Sequence, residues 1–184
     1  FNPAMVQKFV EIVATVTTDE AIITTCLDFA QSLGKEPVLV NDRAGFIANS
    51  LLFGYLNQAI TMYEQKYASR EDIDSAMKFG CGLPMGPLAL LDLIGLDTSL
   101  QILDTMYRES RDRLHAPSAL LKQLVSAGRL GRKSGHGFYT YEGNNVPVVV
   151  SDSQTPAQEG AMVASGITSV GVVGSGTMAT GIAS

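Results

Sequence analysis

Two polar side chains stand where apolar ones are expected, and a third group of residues is spaced to meet a phosphate. Glu11 lies in the middle of the apolar run FVEIVAT. A carboxylate there either has a partner, because burying it alone costs several kcal/mol or forces it neutral, or it faces water at a strand edge. Asn49 shares a face at helical spacing with Phe46, Phe53, Leu56 and Ile60, which puts an amide inside an apolar stripe. Such an amide serves a ligand, or it bonds a nearby carbonyl and does nothing else. Close to the C-terminus, VGVVGSGTMATGIAS sets Gly174, Gly176 and Ala179 after an apolar run and ahead of a possible helix. That is how a dinucleotide-binding turn opens: glycines allow a tight turn and bring backbone close to a pyrophosphate at a helix N-terminus. The acidic residue that should follow about 20 positions on is not among these residues, so the site is incomplete.

Other candidates carry less. In GRLGRKSG a phosphate loop would need Gly directly before Lys, and Arg132 precedes Lys133 instead. Arg129, Arg132 and Lys133 could meet an anionic ligand, but they read as a solvated turn. His115 and His136 lie in loop-like text and are assigned neither as base nor as ligand. No Ser/His/Asp or Cys/His arrangement and no carboxylate cluster suggests a nucleophile or a metal site.

These residues need elements to hold them. FVEIVAT reads as a strand with Phe9, Glu11 and Val13 on one side. Thr17 to Glu20 have capping-box spacing for a helix carrying Ile22, Cys26 and Phe29, which Gly34 ends. EPVLVN, residues 36–41, is then a short buried strand. Beyond it the pattern is helix upon helix: residues 45–67, then a helix capped by Ser69 and stopped by Gly80, a turn at 84–87 with Pro87 in a first helical position, and two helices hinged near Gly95. A last helix covers about 117–127 before the glycine-rich GRLGRKSGHGFYTY. Residues 144–166 have linker composition, small, polar and punctuated by Pro and Gly.

The 184 residues, with 46% hydrophobic and 17% charged side chains, can bury a core as one domain or slightly more. A net charge of −5 without a basic stripe argues against a nucleic-acid partner. Residues 44–63 carry no formal charge, yet Asn49, Ser50, Asn57, Gln58 and Thr61 make them too polar for a membrane span. A soluble helix buried on several sides is expected there, with a partner surface and hence a homodimer. Cys26 and Cys81 show no disulfide or zinc spacing and are read as core thiols in a reducing cytoplasm. Residue 1 is Phe, and no signal-peptide pattern follows it.

FNPAMVQKFVEIV, DRAGFIANSLL, GLPMGPLALLDLIGLD and GRLGRKSGHGFYTY, in this order, resemble the signature segments of the L-3-hydroxyacyl-CoA dehydrogenase family, most closely its 3-hydroxybutyryl-CoA variant. The terminal VGVVGSGTMATGIA resembles the first strand and glycine loop of the same family. The resemblance implies a mainly α chain. Residues 1–41 would be the tail of an NAD-binding Rossmann domain, 42–143 a helical substrate and dimerisation domain, 144–166 a linker, and 167–184 the truncated start of a second Rossmann domain. It implies a piece of a tandem enzyme that uses NAD and an acyl-CoA, inactive by itself. In the family a His-Phe pair directly precedes the FNP segment, and that His is the base; Phe1 opens the present sequence. Glu11 matches the carboxylate that orients the His, and Asn49 the amide that helps hold substrate and His in register. The Arg usual after that Asn is Ser50 here, and Ala179 stands where Gly is common. The rival expectations are a non-catalytic dimerisation module and a related dehydrogenase of another 3-hydroxy acid, such as a sugar acid.

Overall fold

The computed structural model describes residues 5–156, 169, 171–174, 177, 178 and 181. It divides into two compact units, Phe1–Gln154 and Thr155–Ser184.

The first unit begins with strand, helix, strand. β1 (Phe9–Ala14) and β2 (Glu36–Asn41) pair in parallel, Phe9 opposite Glu36 and Ala14 opposite Asn41, with α1 (Glu20–Ser32) as the crossover. Asp19 caps α1 by accepting from the Ala21 amide at 2.8 Å, while the hydroxyls of Thr15, Thr17 and Thr18 bond one another in the preceding turn. The face of α1 differs from the sequence expectation. Ala30 is buried and Ile23 and Leu27 are half-buried, whereas Ile22, Cys26 and Phe29 are exposed. A two-stranded sheet covers one narrow stripe of a helix, and that stripe lies one residue round from the one read in sequence. Cys81 is exposed as well, so neither thiol is in the core as expected.

Helices follow. α2 (Ala48–Glu64) starts three residues later than its sequence suggests, because Gly45 and Phe46 both adopt positive φ, 84° and 44°. α3 (Arg70–Ser75), capped by Ser69, runs into a π turn at Ala76–Gly80. α4 (Pro87–Ile94) and α5 (Leu96–Ser110) are separated by Gly95 at φ 101°. α6 (Ala119–Ser126) is capped by Ser118, after a 3-10 turn at Arg113–His115. Phe53, Leu56, Ile60, Leu88, Leu91, Leu96, Leu103 and Leu121 form one core, each contributing about 1.5–3 kcal/mol of burial. α2 is thus covered mostly by its own chain, and Leu51, 72% exposed, is its main apolar residue left outside. Asn57, not Asn49, is the amide buried within α2: its Nδ2 donates to the carbonyls of Leu114 and Ala116 at 3.0 and 2.8 Å.

The glycine-rich stretch closes the core against two carboxylates. Asp92 is 1% exposed and accepts from the amides of Phe138 and Tyr139 and the hydroxyl of Tyr141, each at 2.9 Å. A Cβ on Gly131 or Gly137 would overlap Asp92, which explains the glycines without any ligand. Asp74 accepts from the amides of Leu88 and Ala89 and so caps α4; Tyr139 also donates to it. Of the basic residues nearby, Lys133 pairs with Asp97 at 2.7 Å, and the Arg132 guanidinium lies over the Tyr141 ring.

The chain then doubles back through a stretch with linker composition. β3 (Thr140–Tyr141) pairs antiparallel with β4 (Val149–Val150). Asp152 meets the 1%-exposed side chain of Arg70 in a bidentate pair at 2.6 and 2.9 Å and accepts from Thr140 at 2.8 Å. Tyr63 donates to Gln154 at 2.8 Å. Residues through Gln154 therefore pack as part of the helical unit. In the second unit, Gly171, Val172, Val173 and Gly174 form no strand ladder, and Thr177, Met178 and Gly181 are helical. Among the described residues no helix is long and apolar enough to cross a membrane.

Candidate active site

The two residues singled out by their misplaced polarity meet at one point, the N-terminus of α2. No side chain of α2 itself caps that end, since Ile47 occupies the N-cap position. Glu11 supplies the missing acceptor from β1. Its Oε1 takes the amides of Ile47 and Ala48 at 2.9 and 3.0 Å, placing a negative charge on the positive end of the helix. Oε2 makes no hydrogen bond among the described residues. The strand carboxylate thus has a partner, and that partner is backbone.

Asn49 lies one residue further on, in the first turn of α2. It is exposed, contrary to the expected apolar stripe: Phe53, Leu56 and Ile60 are buried, while Phe46 sits in the turn before the helix and is 37% exposed. The Asn49 side chain makes no hydrogen bond among the described residues. It lines an open concavity of about 360 Å³ with Ala44 and Gly45 on one side and Gln101, Thr105 and Met106 of α5 on the other. Glu11 is not among the residues lining that concavity. An amide with both its donor and its acceptor free can position a polar ligand there, and a carboxylate with one oxygen free, on the backbone of the same helix end, can hold an imidazole.

Glu109 completes the surroundings. Both of its oxygens accept from the Ala44 amide, at 3.0 and 3.1 Å. His115 is buried, with Nε2 2.9 Å from the Ser50 carbonyl, and is not among the residues lining the concavity. Sequence reasoning missed Glu109, because an acidic residue in the last turn of an amphipathic helix reads as solvated. It also missed Asp92, although a carboxylate inside LALLDLIG carries the same signal as Glu11. Burial pushes the Asp92 carboxyl up to about 6 against the pull of its three donors.

The glycine fingerprint is described only in part. Gly174 holds φ 138°, a conformation that L side chains rarely adopt; Gly176 and Ala179 lie outside the described residues. Among the described residues no group of His, Cys, Asp or Glu could hold a metal ion.

Comparison with known proteins identifies the family of the chain. Residues 45–141 match the family model of the 3-hydroxyacyl-CoA dehydrogenase C-terminal domain, and residues 1–43 that of the 3-hydroxyacyl-CoA dehydrogenase NAD binding domain. The mitochondrial hydroxyacyl-coenzyme A dehydrogenase of Homo sapiens is 47% identical over 143 residues, 77% of this chain and 46% of the human protein. A 3-hydroxybutyryl-CoA dehydrogenase of Mycobacterium tuberculosis is 49% identical over 142 residues, 77% of this chain and 50% of that protein. The crystal structure of (S)-3-hydroxybutyryl-CoA dehydrogenase PaaH1 from Ralstonia eutropha superposes with a TM-score of 0.74 at 40% identity, covering 77% of this chain and 50% of that one. The chain spans about half the length of the curated relatives it matches.

Proposed function

This chain belongs to the 3-hydroxyacyl-CoA dehydrogenase family, and on that premise we propose that the whole protein oxidises a 3-hydroxyacyl-CoA, such as 3-hydroxybutyryl-CoA, with NAD. One observation carries the reading: the first turn of α2 holds Glu11 on its Ile47 and Ala48 amides and presents Asn49 to an open concavity, each side chain with polar atoms to spare. Glu11 Oε2 accepts the N–H of a catalytic imidazole, fixing its tautomer and stabilising the imidazolium that forms when the substrate hydroxyl loses its proton. Asn49 holds the substrate in register with that imidazole. Glu11 Oε1 stays on the helix terminus throughout, so the carboxylate is already oriented before substrate arrives.

NAD, when bound, supplies the hydride acceptor. The described residues fit it only in part and at two separate places: β1 and β2 lie within the NAD-binding match, and in the other unit Gly174 has the backbone freedom that a phosphate turn needs. We assign residues 1–41 to the tail of the NAD-binding domain, 42–143 to the helical substrate domain and 167–184 to the start of a second Rossmann domain, so that the whole protein carries two units in tandem. Among the described residues the NAD-binding match contributes two strands, β1 and β2, and we infer that these 184 residues by themselves give no turnover. A homodimer through the helical unit fits the exposed Leu51, Leu93 and Leu114, and the two unbridged thiols fit a cytoplasmic setting.

The test is NADH oxidation by the full-length protein with acetoacetyl-CoA. Turnover is expected, with kcat reduced about 100-fold or more by Glu11→Gln and by Asn49→Ala. A full-length protein that ignores acetoacetyl-CoA but reduces another 3-oxo acid would overturn the acyl-CoA assignment in favour of a related hydroxy-acid dehydrogenase.

A further inference from the structure

We propose that Glu109 is a positioning residue for the reaction proposed above, on which this inference rests: it fastens to α5 the turn that carries Asn49. Both carboxylate oxygens of Glu109 accept from the Ala44 amide, and Ala44 is the residue that separates the two family matches, 1–43 and 45–141. The junction between the NAD-binding part and the helical part is therefore held by a side chain from α5.

Three elements converge on residues 44–50. Glu109 of α5 takes Ala44, Glu11 of β1 takes Ile47 and Ala48, and His115 bonds the Ser50 carbonyl. Local preference does not hold this backbone. Gly45 and Phe46 have consecutive positive φ, and the Met106 side chain occupies the space where a Cβ on Gly45 would lie. A bulky residue in that conformation persists only where its surroundings impose it. The imposed shape is passed to the helix directly, because the Ser50 amide bonds to the Gly45 carbonyl at 3.0 Å. Asn49 has no side-chain hydrogen bond among the described residues to fix it, so its amide points where this backbone puts it.

Glu109 has little else to do. It is exposed, and among the described residues its carboxylate bonds only Ala44. An anchor of this kind acts on the reaction through geometry, so its loss falls on kcat more than on KM.

The experiment is a double-mutant cycle in the full-length protein, with kcat and KM measured for acetoacetyl-CoA and NADH. Glu109→Ala is expected to lower kcat about 10-fold, since a small displacement of a positioning group costs rate steeply. Glu109→Gln restores most of that rate, because its amide oxygen still accepts from Ala44. In an Asn49→Ala background, Glu109→Ala causes no further loss. Hydrogen exchange at the Ala44 amide is faster in Glu109→Ala, read independently of turnover. Full additivity with Asn49→Ala in an active enzyme, or unchanged exchange at Ala44, overturns the role of Glu109 alone. A wild type without turnover on a 3-oxoacyl-CoA overturns the reading beneath it, and this inference with it.

Discussion

Replacing Asp92 with Asn removes a buried charge and keeps its shape, and the effect should depend on pH in a way no surface substitution would reproduce. In the native chain the carboxylate is 1% exposed and takes three donors, the amides of Phe138 and Tyr139 and the hydroxyl of Tyr141. Desolvation outweighs those donors and pushes the carboxyl from 3.8 to about 6. The folded chain thus holds its proton more tightly than the unfolded chain does. The stability this group contributes is full below the unfolded value of about 3.9 and is lost as pH rises through about 6. The whole shift corresponds to about 3 kcal/mol, of which about 2 kcal/mol falls between pH 4 and pH 7. Asn cannot titrate, and turning its NH₂ toward the Tyr139 amide leaves a donor unpaired at every pH, a cost of about 1–3 kcal/mol. Asp92→Asn should therefore be clearly less stable than wild type near pH 4 and close to it near pH 7. Urea unfolding followed by far-UV circular dichroism suits a chain without tryptophan. A difference between the two proteins that stays constant from about pH 4 to pH 7 would refute the reasoning, because the titration of Asp92 is its only source.

Substitutions at three further positions probe the same unit. Asp152→Ala strips Arg70 of its bidentate partner while Glu71 and the Phe138 carbonyl still hold it, and should cost about 1–3 kcal/mol in urea unfolding. Arg70 holds the Asp152 carboxyl well below the usual carboxylate range, so its stabilisation is present above about pH 4 and lost only as pH falls toward that lowered value; Asp152→Asn should flatten the acid side of the stability profile. Gly137→Ala drives a methyl into the Asp92 carboxylate and should destabilise by about 2 kcal/mol or more, whereas Gly80→Ala, which meets nothing within 4 Å, should stay within about 0.5 kcal/mol of wild type.

Much of this arrangement is legible from periodicity and punctuation. Ser69, Pro87 and Gly95 mark helix ends because each has one local physical reason to be there. Glu11 is legible because a carboxylate in an apolar strand has to be accounted for. What the chain's own order hides is long-range. Nothing local tells Asn49, exposed on a concavity, from Asn57, buried against two carbonyls eight residues later on the same helix. The buried stripe of α1 is not legible locally, because two neighbouring stripes are both apolar and the sheet chooses between them. Asp152 reads as linker because its partner is a buried arginine on a helix far back in the sequence, and Glu109 reads as solvated because its partner is a backbone amide.

The return of residues 142–154 onto the helical unit bears on where such a chain can be divided or joined. The family match ends at 141, yet the physical seam lies after Gln154. A fusion made at the earlier point would discard the bidentate counter-ion of Arg70, leaving it Glu71, and with it the second strand of the β3–β4 hairpin and the Tyr63 contact. A fusion made at the later point keeps all three. Where units are duplicated or exchanged between relatives, the workable module here carries a cuff of about a dozen residues beyond its family boundary, as judged by domains being bounded where few contacts cross.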